Sequence, residues 1–152
     1  MTDLALVWNP ETQLADMAVA DGDLAVDDGL RTAVIISLLT DKRAPDDAVI
    51  PDGSGDRRGW WGDLPLDAPD APPAGDHIGS WLWLLAREKQ LPETARRAEA
   101  YARDALQWMI DDGVAQRVDA LATFPLLGWI KLVITIWRGD SGEIFDLAWR
   151  LS

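Results

Sequence analysis

The chain has 152 residues, 48% of them hydrophobic, and sets 14 Lys plus Arg against 26 Asp plus Glu for a formal net charge of −12. That length supports one hydrophobic core rather than two, so a single domain over residues 1–152 is expected, and so acidic a surface repels the backbone of DNA or RNA. The absence of cysteine excludes disulfide frameworks, thiol nucleophiles and thiolate zinc sites together.

The start, MTDLALVWNPE, has no basic segment leading into an apolar one. The apolar run from Ala33 to Leu39 is interrupted by Ser37 and far short of a membrane span, so a soluble protein of the cytoplasm, with no membrane partner, is expected. Residues 4–8 (LALVW) and 14–19 (LADMAV) are apolar runs separated by a turn-rich Asn-Pro-Glu-Thr spacer, which predicts a β-hairpin. Asp21-Gly22-Asp23 predicts a second turn. Asp28 stands where a side chain caps a helix start, and Leu30, Val34 and Leu38, widened by Ile35 and Leu39, then repeat at helical spacing. This helix is expected to be well buried.

Composition changes over about 42–77, where Pro45, Pro51, Pro65, Pro69, Pro72 and Pro73 alternate with Gly53, Gly55, Gly59, Gly62 and Gly75. A long loop of this kind inside a compact domain is uncommon and is the first place to look for function. IGSWLWLLAREK, from Ile78 to Lys89, predicts a short helix. Pro92 suits the first position of a longer one, with Ala98, Tyr101, Ala102, Ala105, Leu106 and Met109 as its buried stripe and Gly113 as its left-handed cap. Glu93 with Arg97 and Glu99 with Arg103 are spaced i, i+4, each pair worth about 0.2–0.5 kcal/mol.

Beyond Gly113 the pattern is that of strands. VAQRVDALATF alternates imperfectly, whereas WIKLVITIW puts Ile130, Leu132, Ile134 and Ile136 on one face and Trp129, Lys131, Val133, Thr135 and Trp137 on the other. Gly139-Asp140-Ser141-Gly142 turns the chain into EIFDLAWRL, with Phe145, Leu147, Trp149 and Leu151 on one face. The predicted fold is α+β: an N-terminal β-hairpin and three helices packed on a small, mostly antiparallel sheet, with a long Pro/Gly/Asp-rich loop.

Few residues suit catalysis. The single histidine, His77, has Ser80 as its nearest candidate nucleophile, a pair without a third orienting group in view. Glu88 and Glu93 flank a helix break and supply the two carboxylates that glycoside hydrolysis uses, but so acidic a chain offers many such pairs. Asp52, Ser54, Asp56 and Asp63 occupy the first, third, fifth and twelfth positions of an EF-hand-like loop, with Arg57 where glycine belongs and Asp63 where glutamate does. Tryptophan is the unusual quantity, nine in all. Spacing assigns Trp8, Trp83, Trp108 and Trp149 to the core. Trp81 and Trp83 lie about 200° apart on a helix, which leaves one of them to a partner. Trp129 and Trp137 share a strand face with Lys131 and are interface candidates. In GSGDRRGWWGDLP, Arg57 and Arg58 are placed either to stack on Trp60 or Trp61 as a folded-back plug, or to serve with them as a docking arm.

GDLAVDDGLRTAVIISLLTDKRAPDDAVIPDGSGDRRGWWGD, IGSWLWLLAREK and YARDALQWMIDDGVA together resemble the small baseplate proteins of Mu-like contractile-tailed phages and prophages, the family named for Mu gene product forty-six. The resemblance spans essentially the whole chain and is most specific in GDRRGWWGD and DGLRTAVIISL. That family is similar in turn to the T4-type gene twenty-five wedge proteins. The resemblance implies a structural protein of the virion tail baseplate, not an enzyme, assembled in the bacterial cytoplasm, with no cofactor. It implies one copy per wedge, joining larger wedge subunits similar to Mu protein J near the hub and the first sheath ring. Gly55, Asp56, Arg57, Arg58, Gly59, Trp60, Trp61, Gly62 and Asp63 match its signature loop, and Asp28, Gly29, Leu30 and Arg31 match the start of its first buried helix. Trp81 departs from it, standing after Gly-Ser where a basic residue is expected. Partner contacts are therefore expected at Asp56, Arg57, Arg58, Trp60, Trp61, Asp63 and Trp81. The rival function is a cell-wall glycan hydrolase acting through Glu88 or Glu93.

Overall fold

The computed structural model describes residues 3–27, 29–60, 63 and 77–151. The chain opens with six short strands, β1 (Asp3–Leu4), β2 (Leu6–Asn9), β3 (Leu14–Met17), β4 (Val19–Ala20), β5 (Asp23–Leu24) and β6 (Val26–Asp27). They pair as three antiparallel ribbons, β1 with β6, β2 with β3 and β4 with β5. The predicted hairpin is the β2–β3 ribbon. The predicted turn at Asp21-Gly22 closes β4–β5, both residues having the positive φ (53° and 84°) that a two-residue hairpin turn requires. The ribbons meet at three alanines. Ala5 N–H donates to Ala25 O (2.9 Å), Ala25 N–H to Ala18 O (2.8 Å) and Ala18 N–H to Ala5 O (2.9 Å), a closed ring that satisfies the backbone where the ribbons diverge.

Helix α1 (Arg31–Leu39) buries Val34, Ile35 and Leu38, as its periodicity predicts. Its first turn is capped by Asp27, whose carboxylate accepts from the N–H groups of Thr32 (2.7 Å) and Gly29 (3.0 Å). Asp28, the expected cap, lies outside the described residues. Thr32 ties α1 to the ribbons: its hydroxyl donates to Leu4 O (2.9 Å) and accepts from Leu6 N–H (3.2 Å).

The predicted helix over 78–89 contracts to a single 3₁₀ turn, Leu82–Leu85. Ser80 is held in extended geometry before it, its N–H donating to Thr40 O and its carbonyl accepting from Lys42 N–H, and Arg87 turns left-handed (φ 68°) after it. The predicted long helix begins at Pro92 but divides into α2 (Pro92–Ala105) and α3 (Gln107–Asp111), because Leu106 leaves helical geometry (φ −104°, ψ 3°). Leu106 and Met109 are both fully buried across this break. Trp108, expected in the core, is 39% exposed, with its indole N–H on Ser37 Oγ at 3.1 Å. Gly113 (φ 73°) caps α3 as expected. Neither i, i+4 pair forms. Arg97 reaches back to Glu88 (3.0 Å), Glu93 meets Arg96 (3.7 Å), and Glu99 crosses to the sheet to accept from Ala122 N–H (3.0 Å).

Strands β7 (Arg117–Thr123), β8 (Trp129–Arg138) and β9 (Ser141–Arg150) form one antiparallel sheet in chain order. The predicted inner face is correct: Ile130, Leu132, Ile134 and Ile136 are fully buried in one cluster with Phe145, Leu147, Val34, Leu38, Ala98, Ala102, Leu106 and Met109. Each such Leu or Ile side chain stabilises the fold by about 1.5–3 kcal/mol. On the outer face the Arg117 guanidinium lies over Trp137 (4.6 Å) and that of Arg150 over Trp129 (5.1 Å). The indole of Trp8 donates to Ala148 O on β9 (2.8 Å), joining the ribbons to the sheet. Among the described residues no helix is long and apolar enough to cross a membrane.

Candidate functional site

The segment after α1 runs beside the 3₁₀ turn before the loop departs. Asp41 and Ser80 form a parallel bridge, and two indoles secure the next carbonyls: Trp83 Nε1–H donates to Lys42 O and Trp81 Nε1–H to Arg43 O, each at 2.9 Å. Trp83 and Leu84 bury themselves with Ala44 in a small second core, against which Trp81 is partly buried. Trp81 also meets Tyr101 edge to face (5.8 Å, 82°) and lies under the Lys42 ammonium (4.7 Å), which pairs with Asp104 at 3.0 Å. The segment is not a regular helix, so the 200° separation does not apply to it, and both indoles point to carbonyls of 42–43. The loop root is thereby fastened to α2.

The returning arm, 52–60, is shaped by short side chains at alternate positions. Asp52 accepts from Ser54 N–H (2.9 Å) and Oγ–H (2.7 Å), Ser54 Oγ accepts from Asp56 N–H (3.1 Å), and Asp56 accepts from Arg58 N–H (2.8 Å). The spacing read as EF-hand-like thus serves a relay of i, i+2 bonds to the backbone. The Ser54 hydroxyl and amide hold the Asp52 carboxyl below the usual carboxylate range, with Arg58 assisting. Among the described residues no three His, Asp or Glu side chains converge as a metal ion requires. Asp63 instead faces His77 Nδ1 at 3.4 Å.

The two arginines clasp the arm to the root. Arg57 O accepts from Ala44 N–H (2.9 Å), and the Arg57 guanidinium donates to the carbonyls of Pro45 and Asp46. Arg58 donates to Asp41 Oδ2 (2.7 Å) with its guanidinium carbon 4.5 Å from the Trp83 ring centroid. The indole that Arg58 stacks on is Trp83, and Arg57 reads main-chain carbonyls; the choice between folded-back plug and docking arm turns on Trp60 and Trp61. Trp60 follows at the surface, 38% exposed, its carbonyl accepting from Asp63 N–H (3.1 Å). Trp61 lies outside the described residues. A shallow cleft of about 330 Å³ opens beside the clasp, lined by Arg58, Asp41, Trp83, Trp8, Trp149 and Arg150.

Among the described residues neither candidate pair, His77 with Ser80 or Glu88 with Glu93, is joined by a hydrogen bond. Ser80 is buried and donates to Leu38 O while accepting from Leu82 N–H, apart from the His77–Asp63 contact. Glu88 and Glu93 are each paired with an arginine. Asp41 and Trp83 are the members of the site that sequence reasoning missed, and no local pattern announces either as a partner of Arg58.

The model of a family described as phage protein GP46 matches residues 30–143. The baseplate protein gp46 of Escherichia phage Mu is 44% identical over 144 residues, covering 95% of this chain and 92% of the relative. The Mu-like prophage FluMu protein gp46 of Haemophilus influenzae is 40% identical over 154 residues, covering 99% of this chain and all of the relative.

Proposed function

The chain belongs to the phage protein GP46 family, and on that premise we propose that it is a structural component of a contractile-tail baseplate, joining larger wedge subunits near the hub and the first sheath ring. The observation that carries this proposal is the near full-length similarity to a baseplate protein of phage Mu. The site geometry supports an assembly role. A loop clasped at its base by Arg57 and Arg58 presents Trp60, with Trp61 next in sequence, from a fixed platform, which reduces the ordering cost of docking. Tryptophan and arginine are the residue types that dominate interface energetics. The contact surface proposed is Trp60 and Trp61 flanked by Asp56 and Asp63, with Arg57, Arg58 and Trp81 positioning it. No observation favours a glycan hydrolase, since Glu88 and Glu93 are engaged as ion pairs.

The test is the light-scattering mass of the chain alone and after co-expression with the J-like wedge subunit of the same gene cluster. A complex is expected, and replacing Trp60 and Trp61 by alanine is expected to weaken it by about 2–4 kcal/mol while preserving a cooperative thermal transition. A complex indifferent to that double substitution removes the loop as the contact. Failure to form any complex removes the wedge-joining role.

A further inference from the structure

A second surface, remote in sequence from the loop, is built by the three ribbons. Directly opposed residues of a ribbon share a face: Leu4 with Val26, Leu6 with Met17, Trp8 with Ala15, and Val19 with Leu24. Strand alternation carries that face across the alanine ring from Leu4 to Leu6, from Met17 to Val19 and from Leu24 to Val26. Six of these positions close on themselves, Trp8 and Ala15 extend them at one end, and none of the eight carries a charge. Leu6 and Trp8, at one end, pack against the main core. The other large members are open to solvent: Leu4 41%, Met17 51%, Val19 69%, Leu24 44% and Val26 59% exposed. The opposite face carries Asp16, Asp23 and Asp27 among alanines, Val7 and Leu14. A face without charge beside one that carries three aspartates resembles a sheet covered on one side, and exposed apolar surface of this kind marks an interaction site.

Charge decides what covers it. Every charged residue before Arg31 is an acid: Asp3, Glu11, Asp16, Asp21, Asp23, Asp27 and Asp28. A second copy of the chain brings the same all-acidic segment against the first, and like-charge juxtaposition opposes pairing. We propose that this face docks an apolar segment flanked by lysine or arginine, donated by another protein subunit. That the donor is a baseplate neighbour rests on the proposed function; the chemistry of the surface does not.

The full chain is titrated with a short fluorescein-labelled peptide alternating valine with lysine, and with its valine–glutamate counterpart, with hydrogen exchange locating the bound region. The lysine peptide is expected to bind saturably, to protect amides within residues 14–26 and to release as salt is raised. The V19S/L24S double variant is expected to lower its affinity by at least about tenfold. Both side chains are exposed, so its thermal transition should persist; if it does not, D16K/D23K, which leaves five acids against two lysines in the segment and keeps the apolar face intact, is expected to weaken the lysine peptide and narrow its advantage over the glutamate one. Equal binding of the two peptides, binding of neither, or a concentration-dependent dimer of the chain alone that V19S/L24S dissolves overturns the proposal. The peptides contain nothing of a baseplate, so this outcome is independent of whether the wedge complex forms.

Discussion

Arg58 lies over Trp83, its guanidinium carbon 4.5 Å from the ring centroid, while donating to Asp41 at 2.7 Å. One side chain from the returning arm thus touches both walls of the loop root, an indole in the second core and a carboxylate just past α1. The Arg58 backbone is also left-handed (φ 52°), a conformation a non-glycine residue adopts only when its surroundings hold it there. The arm over 52–60 is therefore held to the root at its base.

Replacing Arg58 with alanine should loosen the arm more than it destabilises the domain. A cation–π contact is worth about 0.5–1 kcal/mol when partly exposed and an exposed ion pair about 0–1 kcal/mol, so a loss of about 1–2 kcal/mol is expected. Hydrogen exchange should accelerate over 41–46 and 52–60 and remain unchanged in β8. Lysine at 58 keeps the charge but loses the flat guanidinium, and should recover less than half the loss. Uniform acceleration across the chain would mean that the clasp supports the whole fold.

Gly79 is the backbone position the loop root tolerates least. It has φ 106°, and a Cβ added there would stand 2.9 Å from the Thr40 carbonyl carbon, nearer still to its oxygen. Alanine at 79 should destabilise the chain by about 2–5 kcal/mol, combining backbone strain with overpacking. Gly139 is the control: its φ is 63° with open space around the site, so alanine there should cost about 1–2 kcal/mol. Urea denaturation of both variants separates the cases, and equal losses would show that the contact with Thr40 is relieved by movement of the chain.

The regular elements were legible because their period is printed in the residue order. Ile130, Leu132, Ile134 and Ile136 alternate through ten residues of strand, and Val34, Ile35 and Leu38 repeat at helical spacing, so both buried faces follow from counting. The alanine ring was not legible, since Ala5, Ala18 and Ala25 carry no pattern and meet only because two hairpin turns and the β1–β6 pairing bring them together. The site was legible in part. GDRRGWWGD marked the loop, but the partners of Arg58 lie 17 residues upstream at Asp41 and across the fold at Trp83, and a tertiary contact of that kind leaves no local trace. The same holds for Glu99, whose helical spacing pointed to Arg103 while its carboxylate found an unpaired sheet amide.

Acid should attack the join between the ribbons and α1. Partial burial raises the pKa of Asp27, but the amides of Thr32 and Gly29, the Thr32 hydroxyl and the charge of Arg31 outweigh it and hold the carboxyl below its ordinary value. A depressed folded-state pKa contributes stability that is complete above the unfolded value, near about 3.9, and lost as pH falls through the folded one. D27N removes the charge and should cost about 0.5–2 kcal/mol at neutral pH. The difference from the parent, followed by urea denaturation, should shrink to nothing as pH falls through the depressed folded-state value. A gap that persists in acid would assign the loss to geometry rather than charge.

Glu99 holds α2 to the sheet. Its Oε1 accepts from Ala122 N–H at 3.0 Å, and Ala122 is nearly buried, so removing the acceptor strands a main-chain donor at the margin of β7. E99A should cost about 1–3 kcal/mol and speed exchange of the Ala122 amide, whereas E99Q, which keeps a carbonyl oxygen in reach, should lose less than half as much. R103A is the discriminating control, because the helical pairing of Glu99 with Arg103 predicts a shared loss and the cross-element bond predicts none beyond about 0.5 kcal/mol. If R103A matches E99A in urea and the Ala122 amide exchanges as before, the carboxylate in solution favours its helical neighbour and α2 is held to β7 by packing alone.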